Sequence, residues 1–570
     1  MERKKFEVVS TNRSMPAEQE NSVKALYPLS GKETLDRILD HPKPRALVRG
    51  LAQGDFYWLI KKIGEGDCLP VLELASTKQW QYLLDMEIWR KDRMDLSQAD
   101  RWLSQILKAD PSRLVKWLFS SGQSMTFYYL FRSIQVEIPE EDEDQELPDG
   151  FFTLDGTYYI RVVDPDLREN IEGLLRWMAR EDELRYQAVV QGLAGVVPAE
   201  AEEEMYRLRG VRLAEHGFLP FEEALSVYGP LNCEILTPEK EVTEPAKAID
   251  RDSVAKELIP LSPFYHLGRG DLLMKVVAGS TDPLFQDRIY LEFAGLCNQI
   301  LSADGSVIND LDVLVKTCRR AAGFLNLTLE KVCNGDVSSA LDLLKRHPLI
   351  TVFRAGFGLV LGLKWELEKW IKDAWFLRQG LDVAFWGEVW GQTLKGLSLP
   401  RPLLYRGHVE TEAYRDFKSL SELEACRDIF DQVKAMDRLF EKLGDRFHLT
   451  EEQIYDPEMR FHPLLFNLWS RKILGLPLSF EGLLLEQAKT FFVCLRAGEK
   501  SPPYRMPGFE NIFVSDMIRL ASASEMEKRA PLKAVLRNIW GSFSKEYLYV
   551  SAEDLDQRYS SFIIIKSVSS

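Results

Sequence analysis

Apolar residues recur at helical spacing through residues 45–119, in short segments with almost no linker between them. The spacing predicts helices over 55–63, 67–75 and 95–107, each with an apolar stripe along one side. In the first of these helices the stripe consists of Phe56, Leu59, Ile60 and Ile63. Because such helices bury their apolar faces against one another, the pattern predicts an array of short helices stacked into a superhelical surface.

Residue pairs that are typical of helix boundaries separate these segments. In Gly54-Asp55 and Gly66-Asp67 we expect the glycine to end one helix and the Asp to cap the next. In Ser76-Thr77 we expect the Thr to cap the following helix. Asp110-Pro111 predicts a further helix start, since proline at the first helical position loses no hydrogen bond. Asn334-Gly335-Asp336 repeats the same punctuation much later in the chain.

Tryptophans recur within this array and again in the second half of the chain. Their spacing favours packing between helices over stacking platforms for a ligand, and we expect both series to form buried seams. The first series is Trp58, Trp80, Trp89, Trp102 and Trp117, and the second is Trp365, Trp370, Trp375, Trp386 and Trp390.

Strand signals are few. Residues 134–138 alternate like a strand, and residues 151–160 form two β-prone runs around Asp155-Gly156, which is typical of a tight hairpin turn. Runs at 547–550 and 562–565 also indicate strands. The sequence therefore predicts a mainly α protein with minor β elements.

Changes in composition divide the chain into seven segments. Pro- and charge-rich stretches mark the linkers, and the remaining segments carry helical periodicity. The predicted segments are a mobile arm (1–32), a helical array (33–136), an acidic linker (137–150), a hairpin plus helices (151–232), a second linker (233–262), a central helical domain (263–447) and a mixed C-terminal segment (448–570).

Charge and cysteine usage narrow the class of protein. The net charge is −15, with 87 acidic against 72 basic residues, and this balance disfavours nucleic-acid binding. The seven cysteines contain no CxxC pair, so we expect free thiols in a reducing compartment. The N-terminus has no apolar run typical of a signal peptide, and the most apolar run, 348–363, is too short to cross a bilayer. We therefore expect a cytoplasmic protein without membrane insertion.

Catalytic and metal-binding signatures are missing from the sequence. No phosphate loop, HExxH, EF-hand loop, GxSxG elbow or kinase pattern is present. The seven histidines lie far apart along the chain, so only folding would show whether histidine and cysteine side chains cluster. The sequence predicts no catalytic residue, no metal and no cofactor, and it favours a protein that is not an enzyme.

Arginines provide the remaining candidate chemistry. Residues 202–218 place Arg207 and Arg212 on a predicted helix, and Arg354 stands between two phenylalanines with Gly356 close by. One interpretation is an arginine-lined pocket for an anionic ligand, since guanidinium binds carboxylate or phosphate through two parallel hydrogen bonds. The other, which we favour, is a network of charges that pair on helix faces.

Three phrases carry a resemblance to a known family. Residues 74–85 with Gln79-Trp80-Gln81-Tyr82, the segment 202–224, and Phe353-Arg354-Ala355-Gly356 resemble an uncharacterised bacterial domain-of-unknown-function family of similar length. This resemblance implies no activity, cofactor or catalytic residue. The array at 45–119 is also similar to superhelical domains of bacterial magnesium channels and of flagellar rotor switch proteins, which are regulatory and bind proteins.

Stacked helices without catalytic signatures point to a protein-binding role. The leading hypothesis is a soluble cytoplasmic adaptor or assembly scaffold that binds a protein partner through a helical surface. The alternative is an enzyme or small-molecule sensor in which Arg207, Arg212 or Arg354 would line a pocket for an anionic ligand.

Overall fold

The computed structural model describes residues 17–138, 147–193, 198–236, 259–268, 270–407, 412–496, 501–521, 530–556 and 560–566. Most of the described residues are helical and the strands are short, which confirms the prediction of a mainly α protein with minor β. The chain divides into two compact units, Met1–Ala355 and Gly356–Ser570, and the division falls within one helix. The boundaries of the seven predicted segments stay a prediction.

Short helices dominate the first unit. Its α-helices are α1 (Ala17–Lys24), α2 (Gly31–Leu39), α3 (Pro44–Arg49), α4 (Gln53–Ile63), α5 (Leu69–Leu74), α6 (Thr77–Glu87), α7 (Leu96–Ala109), α8 (Pro111–Leu118), α9 (Gln123–Ser133), α10 (Arg168–Glu181), α11 (Glu183–Gly192), α12 (Pro198–Ala214), α13 (Phe221–Ala224), α14 (Ser262–Tyr265), α15 (Leu272–Gly279), α16 (Pro283–Asp304), α17 (Leu311–Cys333) and α18 (Val337–Arg346).

Helix α19 (Leu349–Ile371) contains the division between the units. The α-helices that follow it are α20 (Trp375–Arg378), α21 (Gly387–Ser398), α22 (Leu420–Gly444), α23 (Glu451–Tyr455), α24 (Phe461–Ile473), α25 (Leu485–Leu495), α26 (Phe509–Leu520) and α27 (Ala530–Glu546). Single 3-10 turns occupy Glu65–Asp67, Pro165–Leu167, Leu225–Tyr228, Cys233–Leu236 and Val383–Trp386.

The predicted helical array is present, because consecutive short helices pack in alternation. Helix α4 packs against α6, α5 against α7, and α8 against α10. Four of the five tryptophans of the first series are buried, as predicted: Trp58, Trp80, Trp102 and Trp117. Trp89 is half-buried.

Local capping explains several boundaries. Ser76 caps α6 in a capping box with Gln79, and Asp110 caps α8, whose first residue is Pro111. Asn334 adopts a left-handed conformation (φ 51°) at the end of α17, and Asp336 then caps α18. The predictions at Asp110 and at Asn334–Asp336 are confirmed, whereas α6 is capped by Ser76 and not by the predicted Thr77.

Two of the predicted boundaries are wrong. Gly54 and Asp55 lie inside α4, which begins at Gln53, so neither ends nor caps a helix. Gly66 and Asp67 lie in a 3-10 turn, and the glycine that ends α4 is Gly64 (φ 96°). Glycine before aspartate therefore did not mark a helix boundary at either position.

Four two-stranded sheets contain the described strands. They pair β1 (Trp89–Arg90) with β2 (Arg93–Met94), β3 (Ile134–Glu137) with β4 (Tyr159–Val162), β5 (Leu404–Tyr405) with β6 (Tyr414–Arg415), and β7 (Leu483–Leu484) with β8 (Ile565–Lys566).

Strand predictions succeeded in part. The strand at 134–138 is confirmed, and Phe152 bridges Ile160 across the predicted turn. Residues 547–550 form no strand, because Tyr547 follows directly on α27 and its ring packs against Phe543. Of 562–565, only Ile565 belongs to a strand.

An aromatic core fills the second unit. Phe466 stacks on Phe513 and Phe543 with ring centroids 4.9 and 4.2 Å apart, and Trp469 is fully buried beside them. The second tryptophan series is only partly a buried seam, since Trp365 is 50% exposed.

Part of the predicted mobile arm is ordered. Residues 17–32 contain α1 and the start of α2, and Val23 and Leu26 are buried, so the prediction is wrong for this part. Residues 1–16 lie outside the described residues. The same holds for 139–146 of the acidic linker and 237–258 of the second linker.

Among the described residues, no single helix is both long and apolar enough to span a membrane. One bent pair of consecutive helices, α18 with α19, meets the length and composition criteria when taken together.

Candidate functional site

A cavity lies in the first unit where α12 packs against α6 and α9. Its empty volume is about 480 Å³, including the space at its mouth. Tryptophan, methionine and leucine side chains form most of its wall, and polar groups complete it. The lining residues are Gln81, Leu84, Asp85, Ile88, Trp89, Met94, Trp117, Ser121, Gly122, Ser124, Met125, Met205, Leu208 and Arg212.

An ion pair between two of these helices lies in the cavity wall. Arg212 on α12 donates from Nε and Nη2 to the two carboxylate oxygens of Asp85 on α6, each at 2.7 Å. Asp85 is 6% exposed, whereas the Arg212 side chain is 38% exposed. The pair therefore fixes α12 on α6 and places the guanidinium between the cavity and solvent.

A second guanidinium reinforces this corner. Arg209 Nε donates to the backbone oxygen of Asp85 at 2.6 Å, and its guanidinium lies 5.7 Å from the centre of the Trp89 ring. Burial raises the pKa of Asp85, and the hydrogen bond and charge of Arg212 oppose that rise. Around this carboxylate, two guanidinium groups thus outnumber one negative charge.

Trp117 contributes a polar atom to the wall that no protein group satisfies. The side chain is 7% exposed, and its Nε1 has no hydrogen-bond acceptor among the described residues. Its ring is fixed by Gly122, where an added Cβ would come within 3.0 Å of Trp117 Cε3. A buried indole N–H usually has a partner, so this one needs an explanation.

The three candidate arginines do not share one pocket. Arg212 lines the cavity, Arg207 on the same helix is exposed, and Arg354 donates to the backbone oxygen of Gly229 at 2.6 Å. Arg212 pairs with an acid that precedes it by 127 residues, so the favoured network of charges joins two helices rather than one face.

A second, smaller cavity lies beside Asp55, also in the first unit. This buried carboxylate accepts hydrogen bonds from Tyr27 Oη (2.9 Å) and from the backbone N–H groups of Leu261 and Ser262 (2.8 Å each). It thereby ties α4 to the first turn of α14. Burial raises the pKa of Asp55 to about 6, because these neutral donors offset the desolvation only in part.

Two basic side chains, Lys62 and His266, line the Asp55 cavity without pairing with its carboxylate. Lys62 Nζ donates to the backbone oxygens of Leu26 and Tyr27, each at 2.9 Å. Burial and the charge of Lys62 lower the pKa of His266 to about 4. The imidazole is therefore neutral at pH 7, and the carboxylate of Asp55 is already fully occupied by its three donors.

Sequence reasoning missed Asp55, Asp85 and Trp117 as site residues. Asp55 was predicted to be a helix cap because it follows a glycine, and Trp117 was treated only as core. The neighbours of Asp55 could have indicated its role. An acidic residue between Gly54 and Phe56 in an apolar helix becomes buried and then needs hydrogen-bond donors.

Metal-binding and thiol chemistry find little support in the described part of the chain. No group of three or more His, Cys, Asp or Glu side chains there could hold a metal ion. All seven cysteines are free thiols, and Cys297 and Cys318 lie closest, with their Sγ atoms 3.7 Å apart in the buried core.

Exposed apolar side chains gather at another place on the first unit. Phe221 and Leu225 follow one another by one helical turn and are 51% and 44% exposed. The Phe221 ring lies 3.9 Å from where a Cβ at Gly305 would stand, and Val307, two residues further on, is 75% exposed. We call Phe221, Leu225 and Val307 the 221/307 patch.

A hydrogen bond fixes the geometry of this patch. Tyr228 Oη donates to Asp304 Oδ1 at 2.8 Å, joining the turn after α13 to the end of α16. Glu222 and Glu223 are exposed next to Phe221. The patch is therefore an apolar surface bordered by acidic side chains, and its two segments are joined by this hydrogen bond.

Comparison with known proteins gives a family and no activity. No curated protein and no solved structure matches the chain, so the similarity of 45–119 to magnesium-channel and rotor-switch domains stays a prediction. A family model, described as a family of unknown function (DUF6178), matches residues 12–566. The chain therefore belongs to the DUF6178 family, as its resemblance to an uncharacterised family predicted.

Proposed function

We propose that this protein is an adaptor or assembly scaffold that binds a protein partner through the helical surface of its first unit. The observation that carries the proposal is the 221/307 patch, where Phe221 and Leu225 are exposed one helical turn apart and Val307 is exposed two residues after Gly305, which the Phe221 ring approaches. Soluble proteins rarely expose grouped apolar side chains unless the surface binds something.

The border of the patch indicates the chemistry of the partner. Glu222 and Glu223 place negative charge beside Phe221, and the whole chain carries a net charge of −15. Complementary charge speeds association and suppresses wrong partners. We therefore expect a partner segment that presents apolar side chains flanked by lysine or arginine.

The same proposal places the protein in the cytoplasm. Seven free thiols are consistent with a reducing compartment, since an oxidising one favours disulfides. This location is part of the proposal and follows from cysteine chemistry alone.

Site-specific photo-crosslinking in cells tests the adaptor role. A photoreactive residue at position 221 or 307 of the full chain should yield the same protein adduct, because both positions contact one partner. Position 184 is the control, since Leu184 is 79% exposed on α11 and outside the patch.

The Leu225→Asp variant supplies the second readout. It adds charge to the patch at an exposed position and should abolish the adducts from positions 221 and 307 without changing the thermal unfolding temperature. The adaptor proposal fails if positions 221, 307 and 184 give the same adducts, or if Leu225→Asp leaves the adducts unchanged.

A further inference from the structure

We propose that the 221/307 patch is covered by residues 3–9 of the same chain when no protein partner is bound. The inference rests on the proposed function, because this segment competes for the surface that the partner uses. Three observations support it: the charge beside the patch, the composition of the segment, and the length of chain that joins the two.

Acidic side chains follow both parts of the patch in the sequence. Two come directly after Phe221 and two come within five residues after Val307, and all four are exposed. They are Glu222, Glu223, Asp310 and Asp312. Arg320 does not balance them, because its guanidinium pairs with Asp304. A segment that covers the patch should therefore carry positive charge beside its apolar side chains.

Residues 3–9 have this composition. Arg3-Lys4-Lys5 is the only run of three consecutive basic residues in the sequence, and the apolar side chains that follow it are Phe6, Val8 and Val9. The segment contains three basic residues against one acidic residue. It thus has the chemistry that we expect of the partner, and it belongs to the chain itself.

The N-terminal part of the chain is long enough to reach the patch. Val23 on α1 and Leu311 at the start of α17 line the same small cavity, so they lie close together. Val307 precedes Leu311 by four residues, which is at most about 14 Å. Ala17 begins α1, about 9 Å from Val23 along the helix. Eleven residues separate Phe6 from Ala17 and can span up to about 36 Å, so Phe6 can reach Val307.

Attachment to the same chain favours the contact. A short tether gives an effective concentration of about a millimolar, so a contact that would be weak between separate molecules can cover the patch. A partner then binds only those molecules in which the patch is free, and its apparent affinity falls by that fraction. The segment thereby sets how tightly the partner binds.

Photo-crosslinking of the purified full chain tests the contact. A photoreactive residue at position 221 should form an adduct with a peptide from residues 3–9, identified by mass spectrometry after proteolysis. Position 184 should not, since Leu184 is exposed outside the patch. Mixing the chain with an equal amount of isotope-labelled chain shows whether the adduct is internal, because the two peptides of an internal adduct carry the same label.

Charge reversal tests the role of the basic run. Lys4→Glu combined with Lys5→Glu should lower the yield of the internal adduct about fivefold, since each exposed charge pair contributes little. In cells the same double variant should raise the yield of the partner adduct from position 307. Lys78→Glu combined with Lys108→Glu, a matched control at exposed positions outside the patch, should change neither yield.

This inference and the adaptor role fail separately. The inference is wrong if position 221 gives no adduct with residues 3–9, or if the Lys4 and Lys5 double variant keeps it; partner adducts in cells would then still support the adaptor role. An adduct between differently labelled chains would also overturn it, since the occupant would be a second copy. An internal adduct without any partner adduct in cells would support the contact and contradict the adaptor role.

Discussion

Two buried carboxylates in the first unit, Asp55 on α4 and Asp85 on α6, each line a cavity but have different partners. Asp55 is held by neutral donors, one hydroxyl and two backbone N–H groups. Asp85 is held by the guanidinium of Arg212. The burial of the two is similar, so the difference between them lies in the charge of the partner.

The comparison shows how the hydrogen-bond donors around a buried carboxylate set its pKa. Neutral donors fix the chain segment but offset little of the desolvation, and the pKa of Asp55 rises to about 6. The guanidinium of Arg212 opposes the rise in the pKa of Asp85. Asp55 therefore ties two segments through hydrogen bonds from neutral groups, whereas Asp85 joins two helices through an ion pair.

The largest expected effect is the loss of the Asp55 tie. Asp55→Ala leaves three buried donors without an acceptor, so we expect the free energy of unfolding of the first unit to fall by about 3 kcal/mol. Urea denaturation monitored by circular dichroism measures it. Asp67→Ala, at an exposed position, should change it by less than about 0.5 kcal/mol. Equal effects of the two variants would contradict a structural role for Asp55.

The second largest expected effect is a difference between Asp55 and Asp85 in how stability depends on pH. The folded pKa of Asp55, about 6, exceeds its ordinary value of 3.8, so its contribution to stability is present at low pH and is lost as pH rises through 6. The Asp55→Asn variant does not titrate there, so its loss of stability relative to wild type should be larger at pH 4.5 than at pH 7, by about 2 kcal/mol.

Asp85→Asn is the matched control for that measurement. The pKa of Asp85 is raised in the same direction, but Arg212 opposes the rise, so the difference between pH 4.5 and pH 7 should be smaller. Denaturation series at both pH values provide the data. A larger pH effect at Asp85 than at Asp55 would reverse the comparison.

Breaking the Arg212–Asp85 ion pair should lower the free energy of unfolding by less than removing the Asp55 carboxylate. In Arg212→Gln the buried carboxylate loses its cation, but Arg212 is partly exposed and water can replace it, so we expect a loss of about 1.5 kcal/mol. Arg207→Gln, on the exposed face of the same helix, should be nearly neutral. In a double-mutant cycle, adding Asp85→Asn should recover part of the loss.

The smallest expected effect is the removal of one donor from Asp55. Tyr27→Phe deletes the hydroxyl that lies 2.9 Å from Oδ2 and leaves both backbone N–H groups in place, so we expect a loss of about 1 kcal/mol. Thermal unfolding of the full chain measures it against Tyr455→Phe, where the ring is 82% exposed. A loss as large as that of Asp55→Ala would mean that the hydroxyl alone holds the segment.

Interactions close in sequence were predictable. The capping box of Ser76 with Gln79, the start of α8 at Asp110 and the left-handed Asn334 each depend on residues within one helical turn. The periodic apolar stripes likewise depend on neighbours three and four residues apart. The fold class followed from these signals, because most of this fold consists of such helices.

The candidate site was not predictable in the same way. Asp55 accepts from backbone groups more than 200 residues away, and Arg212 pairs across 127 residues. Nothing local distinguishes Trp117, whose N–H lacks an acceptor, from Trp80, whose N–H donates to the Leu72 oxygen at 3.0 Å. A pattern of spacing records which side of a helix is apolar but not which helix will lie against it.

The sequence by itself determined that the chain forms short amphipathic helices, where several of them begin and end, and that tryptophans would lie between them. Only the tertiary structure decided that Asp55 ties two distant segments together and that Arg212, Asp85 and Trp117 line one cavity. The physical reason is that helix boundaries depend on hydrogen bonds within a turn, whereas buried charges and cavities depend on which faces meet when the helices pack.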